Sequence, residues 1–330
     1  MGNRGYATAQ GWVLEASFGA GGSATNWCHS FSSGLQEKPR WEAFGTLYEG
    51  AHGDVNEDFI VSKVTEGTVT MGLQYRYQGH WWALIMGAPP TTTGSAPSTH
   101  TFQRDQSFAE SLAVVTLRGN VDEWDLSAGV RVASAKVTIP EKGVCRLEVN
   151  CLGRETTRTV GSRPTPSFSA EPPEVVAYAK DITAITGGSK EAEFAWGSNP
   201  HPFNSVTIDI NNQLSDNGAV SVDYYPADIT PSAQGEVLVT LNVPYRDGTT
   251  QPFRDGNRDR TENTFSLTLA GTGNNQIVFT SPRATVIRYE DPITNPGRQT
   301  ASITLRLKPS GPTGALTVAI TNDDASYDAN

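Results

Sequence analysis

The run GTVTMGLQYRYQG, Gly67 to Gly79, alternates without a break. Val69, Met71, Leu73, Tyr75 and Tyr77 take the odd positions; Thr68, Thr70, Gln74, Arg76 and Gln78 take the even ones. A period of two places alternate side chains on opposite sides of a strand, so one face is buried and one is wet. Each apolar side chain on the buried face contributes about 1.5–3 kcal/mol. A slip of one residue would expose the whole row, so the register is firmly set. A second run, GEVLVTLNVPYRDG from Gly235 to Gly248, alternates in the same way. It repeats Gly, Val, Leu and Tyr at a constant offset of 168 (235 − 67). Pro244 falls on its polar side and implies an edge or a bulge there.

Working outward, VTIDIN (206–211), CRLEVNCL (145–152), ASITLRLK (301–308) and ALTVAIT (315–321) alternate likewise. AVVTLRG (113–119) and FSLTLAG (265–271) end alike, at an offset of 152 (268 − 116). Two strands matched in the same order read as an internal duplication. HWWALIMG (80–87) reads as a short helix stopped by Gly87 and two prolines, and the stretch to Phe102 as a long loop. The second half has only TTQPFRDGNRDRTEN (249–263) there, read as loop. The expected fold is therefore mainly β. It has two tandem β-sandwich or barrel domains, 1–160 and 178–324, and a short flanking helix in the first. A Pro-rich linker occupies 161–177 and a frayed tail 325–330.

Composition excludes more than it assigns. The 330 residues carry a net charge of −10. That opposes a grip on phosphates or an anionic membrane, since nucleic-acid binders neutralise backbone charge with Lys and Arg. Like charge still lets DNA pass close by without sticking. Cys28, Cys145 and Cys151 are an odd count without framework spacing; Cys145 and Cys151, six apart in a strand-like run, read as buried thiols, which fits a reducing compartment. No apolar core is present in MGNRGYATAQ, so no signal peptide is expected, and no run reaches membrane-spanning length.

No chemistry stands out. His29, His52, His80, His100 and His201 lack metal spacing, and no nucleotide or nucleophile motif occurs. Asp54, Asn56 and Asp58, and again Asp255, Asn257 and Asp259, begin like calcium loops. Phe59 and Arg260 stand where the turn glycine belongs, so both read as solvated loops. The seven tryptophans, Trp12, Trp27, Trp41, Trp81, Trp82, Trp124 and Trp196, allow a sugar platform, though core or subunit contact is the commoner use. No catalytic residue, cofactor site or metal site is assigned; the profile is that of a building block rather than an enzyme.

The order of features resembles the major tail tube proteins of long-tailed, non-contractile phages. The resemblance rests on VLEASFGAGGSATNWCHSF, on the strand at Gly67 running into a helix that ends in Gly, and on SAKVTIPEKG. FNSVTIDINNQL, GEVLVTLNVPYRDG and NQIVFTSPRATVIRYED extend it through the second half. It implies β-sandwich domains whose inner sheets join into a closed barrel. Rings stack around a tape-measure protein, and the lumen later conducts the genome without binding it. A chain with two such domains closes the ring as a homotrimer. The implied place is the virion tail, built in the host cytoplasm, with tail-end proteins as further partners and no membrane contact.

The expected lumen-facing residues are the polar faces of the strands: Thr70, Gln74, Gln78, Glu148, Asp209, Glu236, Thr240 and Asn242. Alternation alone is equally consistent with bulk solvent on that side. The Pro-rich linker and the 88–108 segment are candidate contacts between subunits or rings. The second functional reading is a two-domain binding module, carbohydrate-binding or a tail-tip adhesin.

Overall fold

The computed structural model describes residues 9–28, 32–44, 57–105, 107–118, 122–166, 177–179, 192–216, 224–245, 250–271, 273–291 and 299–324. It is mainly β with two short helices. The first half runs β1 (Ala9–Leu14), β2 (Asn26–Cys28), β3 (Ser32–Ser33), β4 (Gln36–Phe44) and β5 (Glu57–Gly72). Then come α1 (Gly79–Met86), β6 (Thr91–Thr93), β7 (Ser98–Gln103), β8 (Leu112–Leu117) and β9 (Glu123–Ile139). It ends with β10 (Lys142–Val144), β11 (Arg146–Gly153) and β12 (Glu155–Val160). The second half runs β13 (Ala177–Ala179), β14 (Ala192–Trp196), β15 (Asn199–His201), β16 (Ser205–Asn211), β17 (Leu214–Asp216) and β18 (Ile229–Pro231). β19 (Glu236–Pro244), α2 (Gln251–Asp259), β20 (Glu262–Ala270), β21 (Gln276–Glu290), β22 (Thr300–Lys308) and β23 (Thr317–Asn322) follow.

The opening strand behaves as its alternation requires as far as Gly72. Val69 and Met71 are fully buried, and Thr68 and Thr70 are not. Gly67 is required because the Gly34 carbonyl oxygen lies 2.2 Å from where a Cβ would stand. Beyond Gly72 the chain turns into α1 instead of continuing as a strand. Gly87, left-handed at φ 83°, caps α1 and donates its N–H to the Ala83 carbonyl.

Two long strands organise the sheet. The early residues of β9 pair with β8 and β12, and the later ones with β11 and β16. β21 does the same, pairing first with β20 and β23 and then with β22. The β9–β16 contact joins the halves: Val206 lies opposite Ile139, and Asn211 opposite Ser134. One hydrophobic core runs through both halves. α1 sits in it, with Trp81 edge-on to Trp12 of the first half and Trp82 edge-on to Phe279 of the second.

The pairings of the first half recur in the second, in order. β1–β2, β1–β8, β8–β9, β9–β11, β9–β12 and β5–β11 have counterparts in β14–β15, β14–β20, β20–β21, β21–β22, β21–β23 and β19–β22. β3–β5 has its counterpart in β16–β19. Irregularities recur as well. The β9–β11 ladder skips Ala133 and the β21–β22 ladder skips Ile287, 154 residues later (287 − 133). Trp12 on Trp81 is matched by Trp196 stacked on Phe253 of α2 at 5.1 Å.

Several expectations are corrected. Residues 249–263 include a helix, α2, at the same distance after β19 as α1 after β5. Phe253 and Gly256 face the core and the charged residues face out. The expected long loop after α1 contains a hairpin, β6–β7, and β7 pairs with β23 of the second half. Pro244 meets its expectation: it ends β19 opposite Thr300 of β22, while β16 on the other side reaches only Asn242, so Pro244 stands where the strand has a single neighbour. The letter matches mark the wrong registers. Thr70 lies opposite Ser32 and Asn242 opposite Ser205, which gives 172 (242 − 70) rather than 168. Val114 and Phe265 occupy equivalent places beside a shared irregularity, which gives 151 rather than 152. Side-chain identity on strands follows burial, so a match four residues out of register arises easily on an amphipathic strand, and one a single residue out arises on β8, which is buried on both faces. The expected linker is described only through Pro166 and again at β13; 167–176 and the 325–330 tail lie outside the described residues.

Candidate functional site

Burial in one core leaves the opposite face of the joined sheet open. Its strand order is β5, β11, β9, β16, β19, β22 and β21. Opposed residues of neighbouring antiparallel strands share a face, so the register lines up rows across it. One row is Thr70, Glu148, Lys136, Asp209, Leu238, Arg306 and Thr285. The next is Thr68, Asn150, Ser134, Asn211 and Glu236. On the other side lies Arg146, Thr138, Thr207, Thr240, Thr304 and Arg288. Asn242 stands between Ser205 and Ser302.

Six of the expected residues therefore share this surface: Thr70, Glu148, Asp209, Glu236, Thr240 and Asn242. Gln74 and Gln78 do not. The turn into α1 buries them, at 4% and 1% exposure. The Gln78 side chain accepts the Gln74 N–H at 3.0 Å and donates to the Gly72 carbonyl at 2.7 Å, which fixes the turn.

Short polar contacts knit the rows. Thr68 donates to Asn150 at 2.6 Å, and Asn150 donates to Ser134 at 2.9 Å. Asn242 donates to Ser205 at 2.8 Å. The sequence reading left out the cations on this face. Lys136 lies 4.0 Å from Asp209, Arg306 2.6 Å from Glu236, and Arg288 2.6 Å from Glu290. Glu262 receives Lys308 and Arg283, each at 2.7 Å, and the two cations hold its carboxyl well below the usual range, at about 2. The acidic balance of the chain is thus not seated here; carboxylates on the face stand beside cations. The signal was present in RVASAKVTI and ASITLRLK, where the same period of two puts Lys136 and Arg306 with the polar residues.

The remaining candidates are structural. Trp12, Trp81 and Trp82 are fully buried, Trp196 and Trp27 nearly so, and Trp41 alone is 58% exposed, so they form no aromatic platform. Burial pushes the Cys145 and Cys151 thiols up to about 12. Asp255 and Asp259 lie on α2 and pair with Arg258, at 3.7 and 2.9 Å, and Asp54 and Asn56 lie outside the described residues. Among the described residues no group of three or more His, Cys, Asp or Glu could hold a metal ion. No helix among them is long and apolar enough to cross a membrane.

The geometry is that of a wall with a broad, hydroxyl-rich, charge-matched surface. No curated protein matches the chain. A model of phage tail tube proteins matches residues 6–307, nearly its whole length. The chain belongs to the phage tail tube protein family and is a structural component of the virion.

Proposed function

We propose that three copies of this chain close into a ring, each supplying two of six like wall segments, and that stacked rings form the tail tube through which the genome leaves. The observation that carries this reading is the β9–β16 pairing, which puts the polar faces of both halves on one continuous sheet. The recurring strand pairings and bulges support an internal duplication of the tube unit, with 1–160 and 178–324 as its copies. The open face is then the lumen. Its Thr, Ser and Asn side chains and matched charges give DNA phosphates neither an excess of cations to bind nor a field that reaches far. Screening confines such fields to about 8 Å at physiological salt. The tube is of the non-contractile type, built in the host cytoplasm around a tape-measure protein and closed by tail-end proteins.

Electron microscopy of negatively stained protein tests the assembly, and native mass spectrometry of single rings counts the chains. Rings or tubes with three chains per ring are expected. Monomers alone, under conditions where other tube subunits assemble and with a tail initiator present, would overturn the reading. Lysine at Thr240 and Asn242 tests the lumen: tubes should still form, and DNA release should slow. Unchanged release would place this face on the outside.

A further inference from the structure

The junction inside the chain specifies a second one between chains. Within the chain, β9 pairs with β16. The counterpart of β9 is β21, and the counterpart of β16 is β3 with the start of β4. Each of these counterparts keeps one open edge. Beyond Thr285, β21 has β22 on one side and no described strand on the other. Among the described residues β3 and β4 pair only with β5.

We infer that β21 of one copy pairs antiparallel with the start of β4 of the next, in the register of the internal junction. This rests on the ring proposed above and names its contact. Moving β9 forward by 154 and β16 back by 173 (205 − 32) converts one register into the other. Lys136 opposite Asp209 becomes Glu290 opposite Gln36. Ser134 opposite Asn211 becomes Arg288 opposite Lys38. Arg288 and Lys38 each already hold a carboxylate, Glu290 at 2.6 Å and Glu66 at 2.7 Å, so the two cations meet as neutral pairs.

Exposed apolar surface supports the same contact. Ala133, the bulge residue of β9, packs against the cluster of Leu214 and Ile229, which the second half lays over it from the connection between β16 and β19. Its counterpart Ile287 is 40% exposed. Ile287 stands at the open edge of β21, where β4 of the next copy would run. The occupant is thus a second copy of this chain. Pro39, which has no N–H, stands in β4 just past the inferred contact and ends the run of donors that edge can offer.

Cysteines at Gln36 and Glu290 test the register. Mild oxidation of assembled Gln36→Cys/Glu290→Cys protein should give covalent dimers and trimers, with the ladder stopping at three chains. Each single variant should give no ladder. A Lys136→Cys/Asp209→Cys protein should close its bond within one chain, which calibrates the geometry. Rings without a ladder, given that internal bond, would overturn this register and leave the tube reading standing. A ladder running past three would keep the contact and remove three-copy closure. Neither rings nor ladder would overturn both. Ile287→Asp gives an independent reading: it should leave the monomer folded and raise the concentration needed for ring formation at least tenfold. Assembly at the parent's concentration would count against the contact.

Discussion

Single residues tie segments that the sheet alone would leave loose. The Glu15 carboxylate is buried and accepts N–H groups from Gly19 at 3.1 Å, Gly21 at 2.8 Å and Gly129 at 3.0 Å, and the Ser111 hydroxyl at 2.6 Å. The Gly129 N–H and the Ser111 hydroxyl are buried and would otherwise lack a partner. Glu15→Gln should therefore lower stability by about 1–3 kcal/mol, read from chemical denaturation. Arg131 plays a similar part between the halves. It donates to Asp228 at 2.7 Å and to the Ile229 and Glu110 carbonyls, and it lies over the Phe18 ring. Cys145 and Cys151 are buried, with thiols held protonated to about 12. In the folded protein at pH 8 both should resist alkylation, as read by peptide mapping, and both should react once the chain is unfolded.

At the scale of elements, α2 packs by virtue of one small residue. A Cβ on Gly256 would stand 2.4 Å from the Trp196 ring. Gly256→Ala should cost about 1–3 kcal/mol despite the better helix propensity of alanine, because the core must shift to admit it. The ladder of β20, β21 and β22 is fastened at one end by Glu262 between Lys308 and Arg283. Its carboxyl is depressed in the folded state, so its contribution is present above the unfolded value of about 4.3 and is lost as pH falls toward 2. Melting temperature should therefore drop between those values, and Glu262→Gln should flatten that part of the profile. Its position at the surface keeps the effect small. The β6–β7 hairpin belongs to the first half in sequence and to the second in pairing, with Phe102 opposite Val318.

For the whole molecule, the shared sheet and core make the halves interdependent. Calorimetry should give a single cooperative transition; two separated transitions would mean that the β9–β16 junction and the α1 core contribute little. The correspondence of the halves fails at an edge that shapes the exterior. β23 is covered by β7, whereas β12, its counterpart, pairs only with β9 among the described residues and leaves Val160 75% exposed. That edge therefore differs between two halves whose other strand pairings correspond.

The sequence by itself determined β5, β11, β16, β19, β22 and β23, their buried sides and the helix at Trp81, because burial of alternate side chains is a local pattern with a period the chain must obey. It also placed Thr240 and Asp209 on polar faces. It missed the β6–β7 hairpin. It did not determine where β5 ends, so Gln74 and Gln78 were assigned to a face that the turn into α1 abolishes. It did not reveal α2, whose Phe253 and Gly256 mark a core face only once Trp196 is packed against them. Nor could alternation say that the polar sides of β11, β9, β16 and β19 adjoin. Neighbours in a sheet are set by hydrogen bonds between strands far apart in the chain, and any amphipathic strand satisfies its own pattern whichever strand lies beside it.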